Sequence, residues 1–235
     1  WLSEMATRFI TEQRDGPWLL SLNPFDPHAP FDAPAEYLAK VSAESLPYPL
    51  FRDSDIERQK AFVAIDQQTK VAVDPRVRRH NSPVIEQEHD LVASAPPASY
   101  DALEVKANYY AMIMLIDDQF KRIIDTLRDT RQLDNTIIVY MSDHGELLGD
   151  HGLILKGCRF FEGLVHIPMI FSWPDRFQRN LQSDALVESV DVAPTLLEAA
   201  GLPVPESMQG RSLMPILTGA ADPHTHKSRV ICEFK

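Results

Sequence analysis

The sequence predicts an α/β domain: a largely parallel sheet flanked by helices. Three observations carry this. A long amphipathic helical pattern runs from about Asp101 to Asp129, a continuous apolar run, "TIIVYM", follows it, and a second apolar run, "HIPMIFSW", lies 24 residues further on. Helices alternating with short, wholly apolar strands are the pattern of a sheet covered on both faces.

Taken in order, the chain opens on charged residues, "WLSEMATRFITEQRDGPW", that lack the apolar stretch of a signal peptide and start as if inside a helix. "PWLLSLN" (17–23) reads as a short buried strand. Prolines at 24, 27, 30 and 34 then enforce an extended loop around His28, because each lacks the backbone N–H and has a fixed φ. Residues from about 41 to 97 have mixed charge and little periodicity, and read as an irregular excursion with one or two short helices. Ile113, Ile116, Phe120, Ile123 and Leu127 follow helical spacing and predict the buried stripe of the 101–129 helix. "LDN" turns the chain into "TIIVYM" (136–141). "VDVAPTLLEAAG" predicts a helix capped by Asp191 and stopped by Gly201, and "RVICEF" (229–234) a last strand.

Composition narrows the partners. The 235 residues are 44% hydrophobic, enough for one large domain or a large piece of one. No apolar run is long enough to span a membrane. A net charge of −11 disfavours nucleic acid and anionic membrane as main partners. Cys158 and Cys232 form neither a disulfide framework nor a zinc spacing, and there is no Asn-x-Ser/Thr glycosylation acceptor. The compartment is not legible.

The chemistry gathers in "SDHGELLGDHG" (142–152), directly after "TIIVYM". Ligands bind at the carboxyl ends of strands in open α/β sheets. Asp143 and His144 stand there, and Gly145 is expected to let the backbone turn sharply. A carboxylate beside an imidazole can hold a divalent ion; equally, Asp143 can cap a following helix and His144 face solvent.

Together with Lys156 and "HIPMI", this block resembles the signature of the sulfatase branch of the alkaline phosphatase superfamily. "NPFDPHAPF" resembles that family's Pro-His-x-Pro stretch. "VDVAPTLLEAAGLPVPESMQGRSLMPILTG" resembles its Asp-x-x-Pro-Thr-Leu-Leu…Gly-x-Pro…Gly-x-Ser-Leu passage. The three motifs run in order from about residue 17 to 219, leaving 41–97 unmatched. The resemblance implies an alkaline-phosphatase-like fold and metal-dependent sulfuric ester hydrolysis. Asp143 and His144 would be two ligands of one divalent ion, calcium in most sulfatases. His144 replaces the Asn of many members, and a nitrogen ligand leaves room for manganese. Lys156 would stabilise charge on the sulfate oxygens and leaving group, and His28 would donate to, or protonate, the departing alkoxide. His151, with Asp150, is expected to support the loop, Glu146 to face solvent or lie behind the metal, and His166 to line the pocket or satisfy a core position. Cys158 reads as structural, and Phe160, Phe161 and Trp173 as core.

The family's nucleophile, a formylglycine made from Cys/Ser-x-Pro-x-Arg, has no counterpart here, and its first strand with tandem Asp ligands is absent too. The resemblance therefore implies the C-terminal part of a catalytic domain with its N-terminal strands missing. Such a chain is expected to bind metal weakly, to leave sulfate esters unhydrolysed by itself, and to expose a sheet edge that invites oligomerisation. Three readings stay open: a sulfatase acting on a small sulfate ester or sulfated carbohydrate, a phosphonate monoester or phosphodiester hydrolase of the same superfamily, and an inactive fragment serving as a binding module.

Overall fold

The 28-residue helix α4 (Ala102–Asp129) follows the spacing expected of it, and in the computed structural model it begins at a satisfied cap. The Asp101 carboxylate accepts from Leu103 N and Glu104 N at 3.0 and 3.2 Å. The structure describes residues 1–62, 72–77, 101–157 and 159–233. These divide into two units, Trp1–Thr130 with His144–His166, and Arg131–Asp143 with Ile167–Lys235.

In the first unit α4 is the spine. Its buried positions concentrate near the N-terminal end, from Ala102 to Met112, with Leu127 near the other end. Of the predicted stripe only Leu127 is fully buried, and Ile113 is 36% exposed. The reason is coverage. Helix α2 (Ala35–Leu38) and Ala33 pack on Ala111 and Met112, and Phe31 and Leu155 pack on Ala102 and Val105. Farther along, α1 (Leu2–Thr11) packs on α4 and buries Ser3, Ala6 and Ile10, and Ser3 donates to Gln119 at 2.7 Å. Within the irregular excursion lie α3 (Asp53–Lys60) and a 3-10 turn at Ala43–Ser45.

In the second unit β1 (Ile138–Met141) and β2 (Met169–Ser172) pair, but antiparallel, with Ile138 opposite Ser172 and Met141 opposite Met169. From sequence both read as buried parallel strands. The chain leaves β1 and re-enters β2 at the same end, which forces opposite directions, and the pair is half-buried, with Ile170 58% exposed. "PWLLSLN" does not form a strand, and Leu19 is 78% exposed. "RVICEF" likewise forms no strand over residues 229–233, and Phe234 lies outside the described residues; nearby, only Leu186 and Lys227 form an isolated bridge.

The predicted 190–201 helix is split. A 3-10 turn, Ser189–Asp191, leads into α6 (Val192–Ala199), and Gly201, at φ +71°, ends it where a side chain would be strained. Asp191 is not the side-chain cap of α6. It is fully buried, and its carboxylate accepts from Arg211 N at 2.7 Å and Glu188 N at 2.9 Å and pairs with Lys227 Nζ at 2.7 Å. Trp173 and Phe177 meet edge-on at 5.6 Å, and Leu213 and Ile216 of the segment running through α7 (Met214–Leu217) are also buried in this unit.

Candidate active site

In the first unit the structure brings together three of the residues singled out by sequence. Lys156 Nζ lies 2.9 Å from His28 Nε2 and 2.9 Å from His144 Nε2. The other nitrogen of each imidazole faces a main-chain oxygen, His28 Nδ1 on Ala29 O and His144 Nδ1 on Gly145 O, each at 2.8 Å. A carbonyl only accepts, so both Nδ1 atoms carry the proton, and both Nε2 lone pairs converge on the ammonium. The result is a cationic point held by two neutral imidazoles.

The core sets this convergence. His28 precedes Ala29, and Lys156 follows Leu155; both anchors are buried in one cluster with Phe31, Ile154 and Val105. Prolines 27 and 30, each after a cis peptide bond, flank His28. The Phe25 ring lies 4.8 Å from the His28 ring and is 65% exposed.

Between His144 and Lys156 the chain makes a tight loop. Leu147 N donates to Leu155 O at 3.2 Å and Gly149 N to Leu153 O at 2.7 Å. Leu148, His151 and Leu155 all have φ between 49° and 59°, a region bulky residues occupy only when their surroundings impose it. Gly145 does not supply the sharp turn expected of it. Its role is close approach: a Cβ there would stand 1.9 Å from Gly163 O, while its amide donates to Leu164 O at 2.8 Å.

The remaining candidates are placed elsewhere. Glu146 turns its carboxylate onto main-chain amides. Its half-buried carboxylate accepts from Leu147 N at 3.0 Å and Leu148 N at 3.3 Å. Burial pushes it up to about 7, against the opposing pull of those amides and of the Lys156 charge. Asp150 accepts from Leu50 N at 2.8 Å, and His151 N donates to Leu50 O at 2.7 Å, so together they seat the 50s segment on the loop. The His151 ring stacks on Phe161 at 3.9 Å, and its Nδ1 is 3.5 Å from Asp55. His166 does not begin a strand and is not a core histidine: it follows α5 (Glu162–Val165), is 76% exposed, and pairs with Glu162 at 2.7 Å. Phe160 is 54% exposed, whereas Phe161 packs on Leu147, Leu153 and Leu164, and Trp173 is buried. Cys158 lies outside the described residues.

Asp143 is exposed two residues beyond β1, at the end of a segment of the second unit, and His144 opens a segment of the first. Calcium takes six to eight oxygens. Among the described residues no three His, Cys, Asp or Glu side chains gather to hold a metal. With Nδ1 on a carbonyl and Nε2 on Lys156, His144 has no lone pair left for one in this arrangement. The residues present do not, by themselves, fit a divalent ion.

Sequence reasoning missed the bonds of Glu146 to the Leu147 and Leu148 amides and the buried Asp191 node. The only signal for the first was a carboxylate followed by two leucines in a glycine-rich loop; for the second, the Gly-Arg-Ser-Leu passage whose Arg211 amide meets Asp191.

The family model described as Sulfatase matches residues 2–202. The multifunctional alkaline phosphatase superfamily protein PehA of Trinickia caryophylli is 30% identical over 221 residues, which is 92% of this chain and 40% of the relative. The N-acetylglucosamine-6-O-sulfatase of Bacteroides thetaiotaomicron is 40% identical over 111 residues, 47% of this chain and 20% of the relative. The crystal structure of a phosphonate monoester hydrolase of Agrobacterium radiobacter superposes with a TM-score of 0.74 at 27% identity, covering 92% of this chain and 41% of that one. The chain thus spans at most about two fifths of the length of these proteins. With its α/β fold and a family match over most of its length, the chain belongs to the sulfatase family of the alkaline phosphatase superfamily.

Proposed function

We propose that the chain contributes the leaving-group side of a sulfuric ester hydrolase site. The observation that supports this is the convergence of His28 and His144 on the Lys156 ammonium. Two of the three ammonium protons point at imidazole lone pairs, which leaves the third for an anionic oxygen. An ammonium so held, in a site walled by buried Ala29 and Leu155, stabilises negative charge more than one free in water. His28 Nε2 is a lone pair as it stands, so it protonates a departing alkoxide only after taking a proton from Lys156, 2.9 Å away. The pair therefore delivers one proton in total: Lys156 gives it up, and the alcohol carries it off.

The nucleophile, a formylglycine by family resemblance, is proposed to come from outside these 235 residues, which contain no Cys/Ser-x-Pro-x-Arg. The family's divalent ion, calcium or the softer manganese, would supply charge neutralisation there. The substrate class is a sulfated carbohydrate or small sulfate ester; the similarity to an N-acetylglucosamine-6-O-sulfatase supports the former. A second reading, a phosphonate monoester hydrolase, is favoured by the TM-score of 0.74 to such an enzyme.

The test assays the protein extended to the full length of its relatives on an aryl sulfate, a 6-O-sulfated glucosamine and a phenyl phosphonate. A higher kcat/KM on either sulfate supports the first reading. A higher value on the phosphonate replaces it with the second.

A further inference from the structure

We propose that Phe25 is a specificity-determining residue: its exposed ring is the platform on which a ring-bearing alcohol stacks as it leaves. This rests on the proposed place of His28 and Lys156 at the leaving-group side. With an ester oxygen on the third Lys156 proton and the departing oxygen at His28 Nε2, the atoms bonded to that departing oxygen lie beside His28. What stands beside His28 is the Phe25 ring, with centroids 4.8 Å apart and planes at 47°. The Lys156 ammonium meets the same imidazole at 2.9 Å. A cation and an aromatic face thus flank one histidine.

Local sequence holds the ring there. His28 N donates to Phe25 O at 3.1 Å, a turn that brings positions 25 and 28 together. Prolines 24 and 27 fix φ on either side of Phe25-Asp26, so the turn is ordered before a ligand arrives. Burial separates the two phenylalanines of "NPFDPHAPF". Phe31 is 0% exposed and meets Tyr109 edge-on at 6.1 Å in the core, whereas Phe25 is 65% exposed at the rim of the basic cluster. A flat apolar face beside a cation fits a molecule that is anionic at one end and carries a six-membered ring at the other. That ring is a sugar presenting its C–H face or an aryl group. An open chain covers less of Phe25 and loses more rotamer freedom on stacking.

The protein extended to the full length of its relatives is compared with F25A and F25Y on phenyl sulfate, 6-O-sulfated glucosamine and ethyl sulfate. F25A should lower the ratio of kcat/KM on a ring ester to that on ethyl sulfate about five- to tenfold, mainly through KM. F25Y keeps the face and should restore most of it. A fall on phenyl sulfate alone assigns the platform to an aryl group, and one on the glucosamine alone to a sugar. An unchanged ratio overturns the inference. So does a loss shared by all three esters, from misfolding or from a displaced His28, because the ring is then structural. If the unsubstituted protein hydrolyses phosphonates and no sulfate, the sulfatase reading fails alone, and phenyl against ethyl phosphonate esters decide Phe25 by the same ratio. If it turns over no ester, NMR saturation transfer to the ring protons of phenyl sulfate decides: transfer that F25A abolishes supports the platform, and equal transfer overturns it.

Discussion

Replacing Lys227 with Met would leave Asp191 buried without its cation. Asp191 is 0% exposed, and its Oδ1 lies 2.7 Å from Lys227 Nζ, which also pairs with Glu188. Breaking a buried pair from one side costs about 3–5 kcal/mol, because the remaining charge keeps its desolvation penalty. Here the carboxylate retains the amides of Arg211 and Glu188, which places the expected loss near the lower end, about 3 kcal/mol. At about 2–4 °C per kcal/mol for a chain of this size, the melting midpoint should fall by about 6–12 °C. Burial pushes Asp191 up, but Lys227 and the two amides more than reverse it, so its carboxyl sits below the usual range. Its stabilising contribution is therefore present above the ordinary carboxylate pKa and lost as pH falls through the depressed value. K227M should flatten that acid limb as well as lower the midpoint. Urea denaturation at several pH values, with K227M, D191N and the double variant, measures both. The double variant should be less destabilised than the two single losses added together, since D191N removes the charge that K227M strands. A K227M chain within about 0.5 kcal/mol of the unsubstituted one would refute the reasoning, since only surface changes are that mild.

Other substitutions test the first unit. Glu146 is raised to about 7 by burial, so its contribution is complete below the ordinary value and is lost as pH rises through about 7, a loss of about 3 kcal/mol. E146Q, which never ionises, should remove that loss; urea midpoints that change equally in both chains between pH 5 and 8 would contradict it. G145A should cost about 1–3 kcal/mol by pressing a methyl onto Gly163 O, measured by thermal unfolding, whereas G16A, with nothing within 4 Å, should be nearly silent. In the full-length protein K156M should lower kcat about 10²–10³-fold on a sulfate ester. An undiminished kcat would remove Lys156 from the chemistry.

The polar block after an apolar run, the proline-framed His28 and the long helical period were all legible in the sequence, because each is a local pattern. The α/β class and the family followed from them. Strand direction was not legible. An apolar run specifies burial, and only the place where the chain returns decides whether Met141 faces Met169 in an antiparallel pair or lies beside a parallel neighbour. Nor were the extents of "PWLLSLN" and "RVICEF", since β-propensity becomes a strand only where a partner supplies hydrogen bonds.

The same division runs through the candidate site. Sequence by itself singled out His28, His144 and Lys156, because their types and flanking motifs are local chemistry. Tertiary structure alone decided that two imidazoles share one ammonium, since residues 128 positions apart meet only through the core of Ala29 and Leu155. It likewise set the Glu146 carboxylate on the amides of Leu147 and Leu148, and turned Asp191 from a helix cap into the partner of Lys227. Whether a carboxylate caps, clamps or pairs depends on which donors surround it, and in a folded chain many of those donors come from far along the sequence.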